Sequence, residues 1–215
     1  SSAASDVYKR QKHYIPVQAT FNLFKYINIT PSFNYTERWY LRKVKQSYDQ
    51  DTRQVVKDTI NGFNRVYDYN LSMSMNTKLY GMYKPLFMKK KEIQIRHVIT
   101  PSVSYAYTPD FSKAKFGYYD SYTYTDENGE VRMQEYSPYE GAAYSYPTMK
   151  GVSQNISFSL DNNIEMKMKS DKDTTGYKKI SLIDQLSGSL SYDIARKRWS
   201  DLSTVSYTHL RAHET

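Results

Sequence analysis

The chain has 215 residues, room for one or two domains, and carries 30 Lys and Arg against 22 Asp and Glu, a formal net charge of +8. It has no cysteine, which excludes a disulfide framework and any thiolate metal centre. Its 23 tyrosines set it apart from disordered chains, while sparse Leu, Ile and Val exclude a thick aliphatic core.

The first eleven residues, Ser1–Gln11, match the translation of a transposase-type sequencing adapter, and the last eleven, Val205–Thr215, match its counterpart read inward. Both are expected to be carried-over adapter sequence, so fold reasoning is confined to residues 12–204. No run of about 18 apolar residues occurs, so no membrane-spanning helix is expected; barrel strands, which alternate, are not excluded.

From residue 13 onward the period is two. In His13–Phe24, Ile15, Val17, Phe21 and Leu23 share one face. A tight connection at Lys25–Tyr26 leads into Ile27–Leu41. There Phe33, Tyr35 and Trp39 face one way, and Asn28, Thr30, Ser32, Asn34 and Arg38 the other. Val44–Phe63 reads as a long link. Arg65–Gly81 sets Leu71, Met73 and Met75 against Asn70, Ser72, Ser74, Asn76 and Lys78. A shorter link, Met82–Ile95, precedes His97–Thr108, with Val103 on one row and Ser102 and Ser104 on the other. Pro109–Val152 reads as a very long loop. Within it, Tyr118–Thr125 and Glu130–Tyr136 flank Asp126-Glu127-Asn128-Gly129, a hairpin signal. Asn155–Lys169 places Ile156, Phe158, Leu160 and Met166 opposite Ser157, Ser159, Asp161 and Lys167. After a link at Ser170–Gln185, Leu186–Ile194 alternates again, and a seventh strand begins near Trp199.

A helix would scatter these rows around its axis. The expected fold is therefore all-β, an antiparallel transmembrane β-barrel segment of about six or seven long strands forming an open, curved sheet. The runs exceed the five or six residues of ordinary globular strands, and tyrosines such as Tyr35, Tyr40, Tyr67, Tyr69, Tyr105 and Tyr107 gather toward their ends, as an aromatic girdle requires. Alternating loop length assigns Val44–Phe63 and Pro109–Val152 to the cell exterior. A soluble Tyr-rich sheet is the alternative; it would pack the apolar rows against each other.

Longer strings carry a family resemblance. RHVITPSVSYAYTPDF (Arg96–Phe111), GYYDSYTYTDENGE (Gly117–Glu130) and NISFSLDNNIEMKMKSDKDTTGYKKISLID (Asn155–Asp184) resemble LptD proteins of the Bacteroides type, as do ITPSFNYTERWY (Ile29–Tyr40) and GFNRVYDYNLSMSMNTKLYG (Gly62–Gly81). The resemblance implies a large outer-membrane barrel that delivers lipopolysaccharide to the outer leaflet. It also implies a plug lipoprotein and periplasmic bridge proteins as partners. The polar rows then face a lumen, where Asn, Ser and Thr could bond sugars and Arg38, Lys78 and Lys167 could meet phosphates. The apolar rows, from Phe21 and Leu23 to Met166, face lipid. A general pore or receptor barrel, or a surface adhesion module, is the rival reading.

Other signals point to no further chemistry. Pro31 and Pro101, in the repeated Ile-Thr-Pro-Ser, suggest bulges or strand starts. Asp171–Gly176 lacks the twelfth-position Glu of a calcium loop, that place being Leu182. His13 and His97 lie on separate strands and form no metal or nucleophile site. The basic clusters Arg42-Lys43, Lys89–Lys91 and Arg196–Arg198 suit lipid head groups better than nucleic acid. No enzyme activity, cofactor or metal is expected.

Overall fold

The computed structural model describes residues 10–84, 93–169 and 177–208. The fold is all-β, an open antiparallel sheet. In chain order the strands are β1 (Arg10–Gln18), β2 (Phe21–Leu23), β3 (Ile27–Asp49), β4 (Gln54–Thr77), β5 (Leu79–Tyr83), β6 (Ile93–Thr108), β7 (Asp120–Thr125), β8 (Val131–Tyr136), β9 (Ser153–Lys169), β10 (Tyr177–Asp193), β11 (Arg198–Trp199) and β12 (Ser203–Tyr207). The main sheet runs β1-β3-β4-β6-β9-β10-β11, with β2 on β3, β5 on β6 and β12 on β10. Strands β7 and β8 form a separate hairpin.

Local chemistry sets the turns. Phe24 and Lys25 both take positive φ, 51° and 66°, between the paired residues Leu23 and Ile27. That left-handed backbone matches the twist a tight hairpin needs. Pro31, within β3, lies opposite the break at Ala19–Thr20, where its carbonyl accepts the Ala19 N–H at 3.2 Å. The strand beside it is already interrupted where proline has no donor to give. Where β9 and β10 slip register between Ser181 and Leu186, the amides of Asn162 and Asn163 donate to the carbonyls of Leu186 and Asp184, at 3.2 and 2.8 Å. Side chains thus serve carbonyls that the irregular ladder leaves over.

Two stretches expected as links are strand instead. Residues 44–63 hold the end of β3, a turn at 50–53 and the start of β4. Asp49 shapes that turn by accepting the Asp51 N–H at 3.0 Å and the Thr52 hydroxyl at 2.8 Å. Likewise 177–185 belongs to β10. In both places polar residues occupy both rows, so alternation vanishes although backbone pairing does not. The clusters Lys89–Lys91 and Asp171–Gly176 lie outside the described residues. Val205–Tyr207, set aside on sequence grounds, are part of β12, with Val205 opposite Ser187.

The chain divides into two compact units. One contains β1 to Val17, Ser32–Leu71 and Tyr107–Ser153; the other contains Gln18–Pro31, Ser72–Ala106 and the chain from Gln154. The first holds a core of Tyr40, Val66, Phe111, Tyr118 and Tyr139. In the second, Ile93 is the one buried hydrophobic side chain among the described residues.

Candidate functional site: a polar row, an apolar row and a folded loop

On the polar row of the first unit, Asn34 donates its amide to Asn70 at 3.0 Å and accepts the Tyr14 hydroxyl at 3.0 Å. Ser32 is half-buried beside them. In the second unit Asn28 donates to Asn76 at 3.0 Å, and the Ser102 and Ser159 hydroxyls meet at 2.6 Å. Thr30, Ser72, Ser74, Ser104, Ser157 and Asp161 are half-buried. The row is therefore cross-linked by side-chain pairs from neighbouring strands, each worth a fraction of a kcal/mol to about 1 kcal/mol.

The three cations expected on this row differ. Arg38 is buried; it pairs with Asp68, and its Nε donates to the Tyr144 carbonyl at 2.9 Å. A guanidinium so compensated holds structure together and has little left for a ligand phosphate. Lys78 stands exposed at the break between β4 and β5. The Lys167 ammonium lies 4.2 Å from the Tyr177 ring centroid, also exposed.

Much of the apolar row outside the aromatic tiers is exposed. Leu71 and Met73 on β4 are 43% and 41% exposed, and Phe158 and Leu160 on β9 are 42% and 45%. Phe21 and Leu23 are exposed as well, whereas Met75, Val103, Ile156 and Met166 are half-buried. One polar pair interrupts this row in the second unit: His97 Nε2 and Asn162 Oδ1 lie 3.1 Å apart.

In the first unit the apolar row becomes aromatic, in three tiers crossing the strands. Phe33 meets Tyr69 and Tyr69 meets Phe111; Tyr35 meets Tyr67 and Tyr67 meets Phe116; His13 meets Trp39 and Trp39 meets Phe63, all at centroid distances between 4.7 and 6.0 Å. Glu37 sits between the second and third tiers. It accepts hydrogen bonds from both the Tyr35 hydroxyl and the Trp39 indole. Tyr40, expected in the girdle, points to the other face and is buried against Tyr139. Alternation explains this, since an even-numbered residue of β3 shares the row of Asn34 and Arg38.

The long loop does not stand free. In the register pairing Leu79 with Ile99, Tyr67 falls beyond Thr108, where β6 has ended. Tyr118 replaces the missing strand: its hydroxyl accepts the Tyr67 N–H at 2.7 Å and donates to the Tyr67 carbonyl at 2.8 Å. Phe111 and Phe116 pack on the apolar-row rings, while Tyr139 packs on Tyr40 of the opposite row. Tyr40 donates to the Ser145 carbonyl at 2.7 Å. The loop thus grips the open edge of β4 from both faces and covers backbone groups that would otherwise be an aggregation template. Burial pushes the Tyr118 and Tyr139 hydroxyls up from their ordinary range.

Asp110 closes the loop at its base. One carboxylate oxygen accepts the Ser112 hydroxyl at 2.6 Å, the Ser112 N–H at 2.9 Å and the Gly151 N–H at 3.0 Å. Those bonds, the Ser112 side chain first, hold the carboxyl below the usual range. Inside the loop the expected hairpin is present, but its turn spans 126–130. Asp126 accepts the Asn128 and Glu130 N–H groups, both at 2.9 Å, and pairs with Arg132 at 2.6 Å. Gly129, at φ 79°, supplies the left-handed step.

Sequence reasoning passed over Glu37, Asp110, Tyr118 and Tyr139. Only Glu37 left a signal, a lone carboxylate in an apolar row. Among the described residues no group of acidic or histidine side chains could hold a metal ion, and no helix is long and apolar enough to cross a membrane.

Long antiparallel strands with an uncovered apolar row and a hydrogen-bonded polar row define the wall of an outer-membrane-type β-barrel. The family model described as LptD protein matches residues 1–213, and the chain belongs to that family. Its role is in lipopolysaccharide transport and assembly at the outer membrane, in a family whose members are transport components and not enzymes. No curated protein and no solved structure matches the chain.

Proposed function

We propose that this chain is a stretch of wall of the translocon that inserts lipopolysaccharide into the outer leaflet. The apolar row of Phe21, Leu23, Phe33, Leu71, Met73, Met75, Val103, Ile156, Phe158, Leu160 and Met166 faces lipid. The polar row, from Asn28 and Asn34 to Ser159 and Asp161, faces the water-filled lumen. There Asn, Ser and Thr offer hydrogen bonds to sugars, and Lys78 and Lys167 offer cations to phosphates. A plug lipoprotein in the lumen and a periplasmic bridge feeding it are the partners. The segment Pro109–Val152 lies on the outer side. The protein conducts its cargo and makes or breaks no covalent bond.

The observation that supports this best is the contrast between neighbours on one strand. Leu71 and Met73 are exposed, while Ser72 and Ser74 between and beside them are half-buried. A soluble fold would hide the first pair and wet the second.

Met73→Arg in the complete outer-membrane protein tests it. The expected loss is about 2–4 kcal/mol of folding stability in lipid vesicles, while Ser74→Arg costs far less. Equal tolerance of both, or full solubility without detergent, would overturn the reading. On the same reading Ser1–Gln11 and Val205–Thr215 derive from adapters. Genomic sequencing across both junctions decides this: different flanking codons support it, and the same residues in the gene refute it.

A further inference from the structure

We infer that the first unit holds a pocket for an uncharged stretch of saccharide, formed where its loop closes over the polar row. A cavity of about 590 Å³ opens there. Tyr40 and Arg42 border it from β3, Thr59 and Asn61 from β4, and Tyr139 and Glu140 from the loop. That volume lies within the range of small-molecule sites, about 300–1,000 Å³. Two bonds fix the loop across it. The Val44 N–H donates to the Pro138 carbonyl at 2.9 Å, and the Tyr40 hydroxyl donates to the Ser145 carbonyl at 2.7 Å.

Floor and rim differ in chemistry. Tyr40 and Tyr139 are buried, with ring centroids 5.5 Å apart, whereas Arg42, Thr59, Asn61 and Glu140 are exposed. Tyr139 is only 6% exposed, yet its hydroxyl has no hydrogen-bond partner among the described residues. A polar atom on so deeply buried a side chain normally has one. The side chains of Thr59, Asn61 and Glu140 have no such partner either. Hydroxyl, amide and carboxylate together offer both donors and acceptors. A phosphate only accepts and would meet the Glu140 carboxylate, and an acyl chain would leave the whole rim unpaired. A neutral sugar gives and takes hydrogen bonds through its hydroxyls and can lay its C–H face on an aromatic ring. The cavity lies on the row of Arg38 and Tyr40, turned away from the apolar row of Phe33 and Leu71, so its occupant comes from the lumen. That occupant is the sugar portion of the transported lipopolysaccharide. Naming it so rests on the translocon reading, whereas the preference for a neutral polyol does not.

The test uses the complete outer-membrane protein in detergent micelles. The probe is the oligosaccharide that mild acid releases from the lipopolysaccharide of the same cells, dephosphorylated before use. Saturation-transfer NMR is expected to show contact with its ring protons, unchanged by excess inorganic phosphate. Asn61→Ala and Glu140→Gln are each expected to weaken binding about five-fold, the equivalent of about 1 kcal/mol for one hydrogen bond. Thr59→Trp, which fills the cavity from an exposed strand position, is expected to abolish it. The wild-type gene is also expressed in cells whose own copy is switched off, and surface lipopolysaccharide is measured. If it restores none, the translocon reading fails, and the pocket is judged on the NMR alone. If it restores surface lipopolysaccharide but the oligosaccharide does not bind, or binding survives all three substitutions, the pocket is refuted by itself. Competition by inorganic phosphate would refute it equally, by showing an anion site.

Discussion

The two compact units use the same strands to opposite ends. The first builds a core of its own, with Tyr40, Val66, Phe111, Tyr118 and Tyr139 closed over by loop residues. The second, among its described residues, buries a single hydrophobic side chain, Ile93, and leaves Met73, Phe158 and Leu160 uncovered. A sheet with one layer gains nothing from the hydrophobic effect until something apolar lies against it. The first unit carries cover for part of its apolar surface, whereas the second carries almost none among its described residues.

That comparison breaks if the second unit tolerates charge. Phe158→Arg is expected to cost up to about 4 kcal/mol when folding is followed by urea titration in lipid vesicles, against little for Ser157→Arg on the other row. Equal costs would mean the second unit has hidden cover. In the first unit, Asp68→Ala strands the buried Arg38 charge. The expected loss is about 3 kcal/mol, the low end for a buried pair because Asp68 keeps partial contact with solvent. It should appear as faster proteolysis of the loop, and an unchanged cleavage rate would contradict it.

Smaller changes sharpen the contrast. Tyr118→Phe leaves the Tyr67 N–H and carbonyl without their partner, at about 2 kcal/mol. Amide exchange at Tyr67 should accelerate while β9 and β10 stay protected; uniform acceleration would mean the units are not separable. The weakest effect belongs to the hairpin turn. The Arg132 side chain, then the Glu130 and Asn128 N–H groups, hold the Asp126 carboxyl below its ordinary range. A lowered folded value contributes stability above the unfolded value of about 3.9, lost as pH falls through the folded one. Protection of the Asn128 and Glu130 amides should therefore be flat from pH 7 to 5 and fall away below about pH 4. Loss already at pH 6 would point to another group.

The strands were legible in sequence wherever the two rows met different surroundings. Asn28 to Arg38 and Leu71 to Met75 alternate because one row carries apolar side chains and the other carries amides and hydroxyls that pair across the strands. Where both sides meet water, at 54–63, or where one side meets only the distant loop, at 44–49, nothing in the residues distinguishes strand from link. The pairing there was invisible although the backbone forms it. The loop's grip was illegible for a different reason. Tyr118 finds Tyr67, and Tyr144 finds Arg38, across separations of 51 and 106 residues without any periodic spacing. Arg38 shared its row with free polar residues, and only the partner from the loop reveals its different task.

The carboxylate of Asp110 has a consequence for change over generations. Because it ties Ser112 to Gly151, and Tyr118 and Tyr139 pack in the core, the hairpin between Asp120 and Tyr136 begins and ends at fixed points. Extra residues spliced between Asn128 and Gly129 would cost the bond from the Glu130 N–H to Asp126 and, beyond it, closure entropy of about 0.6 kcal/mol for each doubling of length. The hairpin tip is thus an exchangeable cassette: its length and residues can be rewritten while the strands below keep their register.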